Sequence, residues 1–269
     1  MTDEGRTLPE LRIRARNIAS ASENRIHDDA VARRYGFAGG LVPGIVVYGY
    51  MTRPLLDRFG LDWLARGVVA VRFLKPCYDG EEIVVRAEQR SEAIEVVVER
   101  GGEVCATGTA SLPPAANEPP DPAGWTAAAL PKERPLASAD SLRPETVLGT
   151  VVSRPDPRRA AFAAAIGDDG SWYAGADAAL HPGFVLGLAN EALARNVALG
   201  PWIHAASDIE SFSVAGANDA LHARARVVDR FDRKGHELVV LDVLVLAGRD
   251  RVVQRIRHTA IYRPRPTDR

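Results

Sequence analysis

Two apolar segments stand out along the 269-residue chain: GIVVYGYM after Pro43-Gly44 and GFVLGLANEAL after Pro182-Gly183. Neither alternates with period 2, and each is opened by a Pro-Gly pair that suits a helix start. The following segments are different in kind. Residues 83–88, 94–99 and 104–111, and later 221–228, 237–246 and 251–262, are rich in Val and Ile. Turn signals such as Arg100-Gly101-Gly102 and Gly248-Arg249-Asp250 separate them, so they are predicted to be strands. The two series keep the same frame: Phe73 lies thirty residues after Pro43, and Phe212 thirty residues after Pro182. Each half therefore reads as a leading strand, a loop, one apolar helix and four antiparallel strands.

A helix that is apolar nearly all round must be covered on most sides, which a curved antiparallel sheet wrapped about it achieves. That arrangement is the hot-dog fold. The expected architecture is thus α+β, a double hot-dog of two antiparallel sheets each wrapping one central helix, rather than two unrelated α+β units that share a proline spacing. Eight of the 18 prolines fall between Pro113 and Pro144, in a stretch without sustained periodicity. The chain divides accordingly into an N-terminal half (1–112), a Pro-rich linker (113–145) and a C-terminal half (146–269). Within the linker, Trp125 and the AAAL after it form either part of an extended strap or a short helix docked on the surface.

Composition narrows the classes of function. With 34 basic and 35 acidic residues the net charge is −1, which argues against a nucleic-acid partner. Cys77 and Cys105 are too few for a disulfide framework and lack zinc-site spacing, so a reducing, cytoplasmic setting is expected. Neither cysteine has an adjacent base that would make it a nucleophile. Residues 1–9 do not resemble a signal peptide, and the apolar run 39–51 is too short to span a bilayer, so no membrane partner is expected. No Gly-rich phosphate loop follows a strand, and no His, Asp and Glu cluster has ligand spacing, so neither a metal nor a bound cofactor is expected.

The segment SENRIHDD at 22–29, followed by ARRYGFAGGLVPG, resembles the MaoC-like dehydratase and (R)-specific enoyl-CoA hydratase family. Asn24, Ile26, His27, Gly36, Phe37 and Gly44 match its pattern, and RFLKPCYDGEEI at 72–83 looks like its strand before a Gly-Asp or Asp-Gly turn. The chain also departs from that pattern. Ser22 occupies the position of the family's catalytic Asp, Arg25 replaces a Pro, and the loop after His27 is about one residue shorter. In the second half FAAAIGDDGSWY repeats the motif differently: Asp168 falls at the Asp position, Gly170 replaces the Asn, and Tyr173 replaces the His.

The resemblance implies an acyl-thioester hydratase or dehydratase, a hydro-lyase of fatty-acid type, acting on enoyl- or 3-hydroxyacyl-thioesters. CoA or a carrier protein would enter only as part of the substrate. In such chemistry a water loses a proton as it attacks the β-carbon, while the thioester oxygen takes up charge. His27 is the candidate base, with Asn24 and Ser22 beside it as site residues. Each has a plainer reading: His27 as a loop histidine paired with Asp28 or Asp29, Asn24 as a turn former, and Ser22 as a cap. Glu23 and Asp28 read as solvated charges. Gly44, at the start of the buried helix, offers an unpaired N–H and the positive end of the dipole. The acyl chain is expected to run towards Tyr48, Tyr50 and Met51. Residues of the second half should complete the pocket, with Asp168, Tyr173 and His181 as candidates against the alternatives of an inherited turn and packed aromatics. His204 lies just before a strand and reads as structural. Alternatives to hydration are a changed reaction on the same pocket, such as thioester hydrolysis or dehydration of a non-CoA substrate, and a non-catalytic acyl or small-molecule binder. A double hot-dog supplies its own pseudo-dimer, and a further homodimer is common in such folds by analogy.

Overall fold

The computed structural model describes residues 4–175 and 177–265, with no side-chain account for 4, 5, 158 and 160. The first half opens with β1 (Glu4–Thr7) and β2 (Leu11–Arg14), then a 3-10 turn at Arg25–His27 and α1 (Asp29–Arg34). Helix α2 (Gly44–Phe59) and the short α3 (Leu61–Arg66) follow, then β3 (Val68–Phe73), β4 (Glu82–Arg90), β5 (Ala93–Arg100) and β6 (Glu103–Ser111). The second half repeats the order with β7 (Val147–Ser153), α4 (Pro157–Ile166), α5 (Pro182–Ala194) and β8 (Ile203–Ser211). It ends with β9 (Leu221–Arg233), β10 (His236–Ala247) and β11 (Arg251–Arg263). All six predicted Val- and Ile-rich runs are strands, and both Pro-Gly pairs open helices.

The sheets of the two halves join edge to edge as one continuous sheet. The strand order is β1-β4-β5-β6-β3-β8-β11-β10-β9-β7, with β2 also on β4, so the halves join through the antiparallel pair β3–β8. Joining there removes an exposed edge from each half and leaves all neighbouring pairs antiparallel. The two helices lie side by side against this sheet. Val46, Tyr48, Tyr50, Leu55 and Leu56 of α2 and Leu186, Leu188 and Leu193 of α5 are all buried in one shared core. Glycine permits the approach: a Cβ on Gly183 would lie 2.5 Å from the Ile45 carbonyl oxygen, and one on Gly49 2.8 Å from His181 Cε1.

Strand β10 shows what the linker does. Val239, Leu241, Val243 and Val245 face the main core, while Leu244 and Leu246 face outwards and are still buried, packed with Val252 under Trp125. The strap thus covers an outer face that would otherwise show Leu to water, a burial worth roughly 1.5–3 kcal/mol per large side chain. Arg226 and Arg255 flank the Trp125 ring at 5.6 and 5.1 Å, and both pair with the Asp242 carboxylate. The strap is held as an extended segment rather than a docked helix at AAAL: its helical turn is Pro122–Gly124, and Thr150 N–H donates to Ala128 O at 2.8 Å. No helix of the described residues is long and apolar enough to cross a membrane.

Candidate active site at the start of the first central helix

Asn24 joins the two halves. Its Oδ1 accepts from Trp202 N–H at 3.2 Å and from Ile26 N–H at 3.4 Å, and its Nδ2 donates to Trp202 O at 3.0 Å. This double contact with one backbone residue fixes which end of the amide is which. The same Nδ2 lies 3.3 Å from His27 Nε2, so that ring nitrogen accepts, and the ring proton sits on Nδ1, which donates to Leu41 O at 2.7 Å. The tautomer puts the ring's basic lone pair at Nε2, where the Asn24 amide meets it. Burial lowers the His27 pKa from its ordinary value, against a smaller opposing effect of the Leu41 carbonyl, so the ring is neutral at pH 7.

The loop from α1 to α2 packs tightly on this histidine. Gly40 N–H donates to Asp29 Oδ1 at 2.8 Å, and a Cβ at Gly40 would collide with the His27 carbonyl. Pro43 then precedes the first helical residue and has no side chain able to cap it. The Gly44 N–H has no acceptor among the described residues. Positive helix-end potential and a free donor therefore meet a cavity. That cavity, about 220 Å³, is lined by Asn24, His27, Gly44, Val47, Phe73, Cys77, Asn190, Trp202 and His204, among others. A second hollow of about 300 Å³, lined by Ser22, Glu23, Arg134 and Leu199, shares Asn24, His27, Pro43, Asn190 and Trp202 with it. The Cys77 thiol is pushed up by Cys105 beside it and by burial, so it is no nucleophile.

The other sequence candidates are placed as follows. Ser22 Oγ donates to Asn24 O at 3.2 Å and belongs to the second hollow. Glu23 pairs with Arg134 of the strap at 2.6 Å, and Asp28 caps α1 through Val31 N–H at 2.9 Å, so neither carboxylate stands in for the missing Asp. Tyr48 is buried in the core and lines neither hollow, because its position on α2 turns it away from the cavity wall formed by Gly44 and Val47. Asp168, Tyr173 and His181 do come together, but not at this cavity. His181 Nε2 lies 3.2 Å from Asp168 Oδ2, and its Nδ1 accepts from Gly183 N–H at 3.0 Å, capping α5. Arg53 and Gly170 N–H hold the other carboxylate oxygen at 2.8 and 2.9 Å. The Tyr173 ring packs 4.7 Å from His181 with its hydroxyl buried and without a partner among the described residues. This cluster caps α5, and its Asp168 and Arg53 line a separate hollow of about 390 Å³.

The second half does complete the pocket, through residues other than those singled out in the sequence. Trp202 contributes its backbone, Asn190 an amide whose buried oxygen has no partner, and His204 a ring on β8 itself, not before it. Backbone contacts such as that of Trp202 leave no side-chain signal. His204 carried one, since it is a histidine in an otherwise apolar and small-residue run.

No protein-family model matches the sequence, and no curated protein matches it. Solved structures do. One from Chloroflexus aurantiacus J-10-fl, assigned as a MaoC domain protein dehydratase, is 12% identical with a TM-score of 0.71, covering 97% of this chain and 95% of the other. A conserved hypothetical protein from Mycobacterium tuberculosis, described as having a double hotdog fold, is 15% identical with a TM-score of 0.61 and 96% of each chain covered. An acyl-CoA thioesterase II from Mycobacterium marinum is 15% identical with a TM-score of 0.54, covering 86% and 92%. At these identities the likeness is one of fold, and by that likeness and its own topology the chain is a double hot-dog, an architecture that it shares with proteins assigned as MaoC-like dehydratases and as acyl-CoA thioesterases.

Proposed function

We propose that the protein is an acyl-thioester hydratase or dehydratase of MaoC-like type, acting on enoyl- or 3-hydroxyacyl-thioesters at His27, Asn24 and Gly44. The observation that carries the reading is a neutral histidine of fixed tautomer that shares a cavity with an uncapped helix start. In the hydration direction water replaces the 3.3 Å Asn24 Nδ2 contact at His27 Nε2, which then takes its proton as the water oxygen bonds to the β-carbon. The C=C π electrons move towards the thioester carbonyl, and its oxygen is met by the Gly44 N–H and the α2 dipole. The proton held on Nε2 then passes to the α-carbon, which adds the elements of water overall and restores the neutral ring. Asn24, itself anchored on the Trp202 backbone of the second half, fixes the turn that carries His27.

The test is loss of the conjugated enoyl-thioester absorbance with C4 to C16 enoyl-CoA, beside a colorimetric assay for free thiol. Hydration without thiol release is expected. Thiol release instead would make the same groups those of a thioesterase, and saturable binding of enoyl-CoA with neither signal would make the protein an acyl binder.

A further inference from the structure

The second half brings a buried chain of three polar side chains to this cavity. His204 Nε2 lies 2.9 Å from Ser207 Oγ, which lies 3.1 Å from His258 Nδ1. Strand geometry alone would put His204 and Ser207, three residues apart, on opposite faces. A bulge in β8 prevents this: Thr259 pairs with Ala206 but Ala260 with His204, so Ala205 is the extra residue and the two side chains share the inner face. His258, directly across from Ser207 on β11, joins them. The three residues are 6%, 1% and 0% exposed.

Two nitrogens at the ends of this chain, His204 Nδ1 and His258 Nε2, have no partner among the described residues. Burial and the neighbouring His258 ring keep His204 well below its ordinary pKa, and burial pushes His258 down to about 3, so both rings are neutral. Three exchangeable protons then serve two hydrogen bonds, and the third sits on one end or the other. At the His204 end that nitrogen lies against the start of α2: a Cβ on Gly44 would be 3.0 Å from Nδ1. Phe73 of the first half braces the ring edge-on at 4.7 Å. An oxygen seated at the Gly44 N–H would draw the third proton to Nδ1 and satisfy a donor that is otherwise buried without an acceptor.

We infer that His204 is a substrate-binding residue of this site, its Nδ1–H donating to the acyl carbonyl oxygen beside the Gly44 N–H, with Ser207 and His258 fixing the proton on that nitrogen. The inference rests on the acyl-thioester reading. It is tested with two non-reacting probes, butyryl-CoA and the thioether S-butyl-CoA, which lacks the carbonyl oxygen. In protein labelled with ¹⁵N-histidine, butyryl-CoA is expected to move the His204 Nδ1 resonance to that of a hydrogen-bonded N–H, and S-butyl-CoA to leave it in place. His204→Asn and, as a milder change behind the ring, Ser207→Ala should weaken butyryl-CoA about tenfold and by a smaller factor, with S-butyl-CoA unchanged. If butyryl-CoA moves the His27 resonances and not those of His204, or if both probes weaken equally in the variants, the inference is overturned while the site stands. If neither probe binds, the acyl-thioester reading falls and the inference with it.

Discussion

The two central helices begin with the same Pro-Gly pair and end up in opposite electrostatic states. At α5 the residue before the proline is His181, whose Nδ1 takes the Gly183 N–H while Asp168 and Arg53 back it up. At α2 the corresponding residue is Val42, the proline itself occupies the capping position, and the Gly44 N–H is left free in a cavity. One side chain thus decides whether a helix start is a stabilising joint or a binding site. The histidine beside this uncapped start, His27, comes from the preceding 3-10 turn and has its Nε2 beside Asn24.

Substitutions at the two histidines should separate these roles. His27→Ala is expected to lower turnover of an enoyl-thioester by about 10²–10⁴-fold, the usual contribution of a positioned base, with a melting temperature close to wild type. His181→Ala should do the reverse. It leaves the Gly183 N–H and Asp168 short of a partner in the interior, a loss of roughly 1–3 kcal/mol measurable by urea unfolding, with turnover per folded molecule little changed. Glycine substitutions make the same contrast. Gly183→Ala would place a Cβ 2.5 Å from the Ile45 carbonyl oxygen, backbone that cannot swing aside, and should destabilise markedly. Gly44→Ala meets the His204 ring at 3.0 Å and should cost about tenfold in activity while the fold persists.

Acid should act on both regions through their histidines. His27, His181, His204 and His258 all have pKa values below the ordinary 6.5 in the folded chain, chiefly through burial. Below about 6.5 the unfolded chain therefore binds protons that the folded chain refuses, so their contribution to stability is present above that value and is lost as the pH falls. The urea midpoint is expected to drop between pH 7.5 and 5.5, and to drop less in His181→Ala, which lacks one of these groups. The smallest effect is expected at Ser22→Ala, less than threefold in turnover, because Ser22 Oγ is bonded to Asn24 O and faces the neighbouring hollow.

Most of the fold was legible because its signals are local: the Pro-Gly pairs, the thirty-residue spacing to each Phe, and Val- and Ile-rich runs between glycine turns. Which strands make the join between the halves was not, since the pairing of β3 with β8 depends on contacts between residues more than a hundred positions apart. Within the site, Asn24, His27 and Gly44 stand together as their motif implied, while Tyr48 faces the core. Asp168, Tyr173 and His181 were each visible as residues, but their gathering around the His181 cap required the geometry of the α5 start. His204 was visible as a residue, but its union with Ser207 and His258 was not. Their alignment depends on a bulge at Ala205 and on the β8–β11 register, neither of which the residue types announce.

The most direct test is to follow enoyl-CoA absorbance with wild type, His27→Ala and His181→Ala side by side, each held well below its melting temperature. Turnover that falls at least a hundredfold in His27→Ala and persists in His181→Ala would place the chemistry at the start of α2. Turnover that survives in His27→Ala and disappears in folded His181→Ala would place it at α5 and contradict a site at the uncapped helix start.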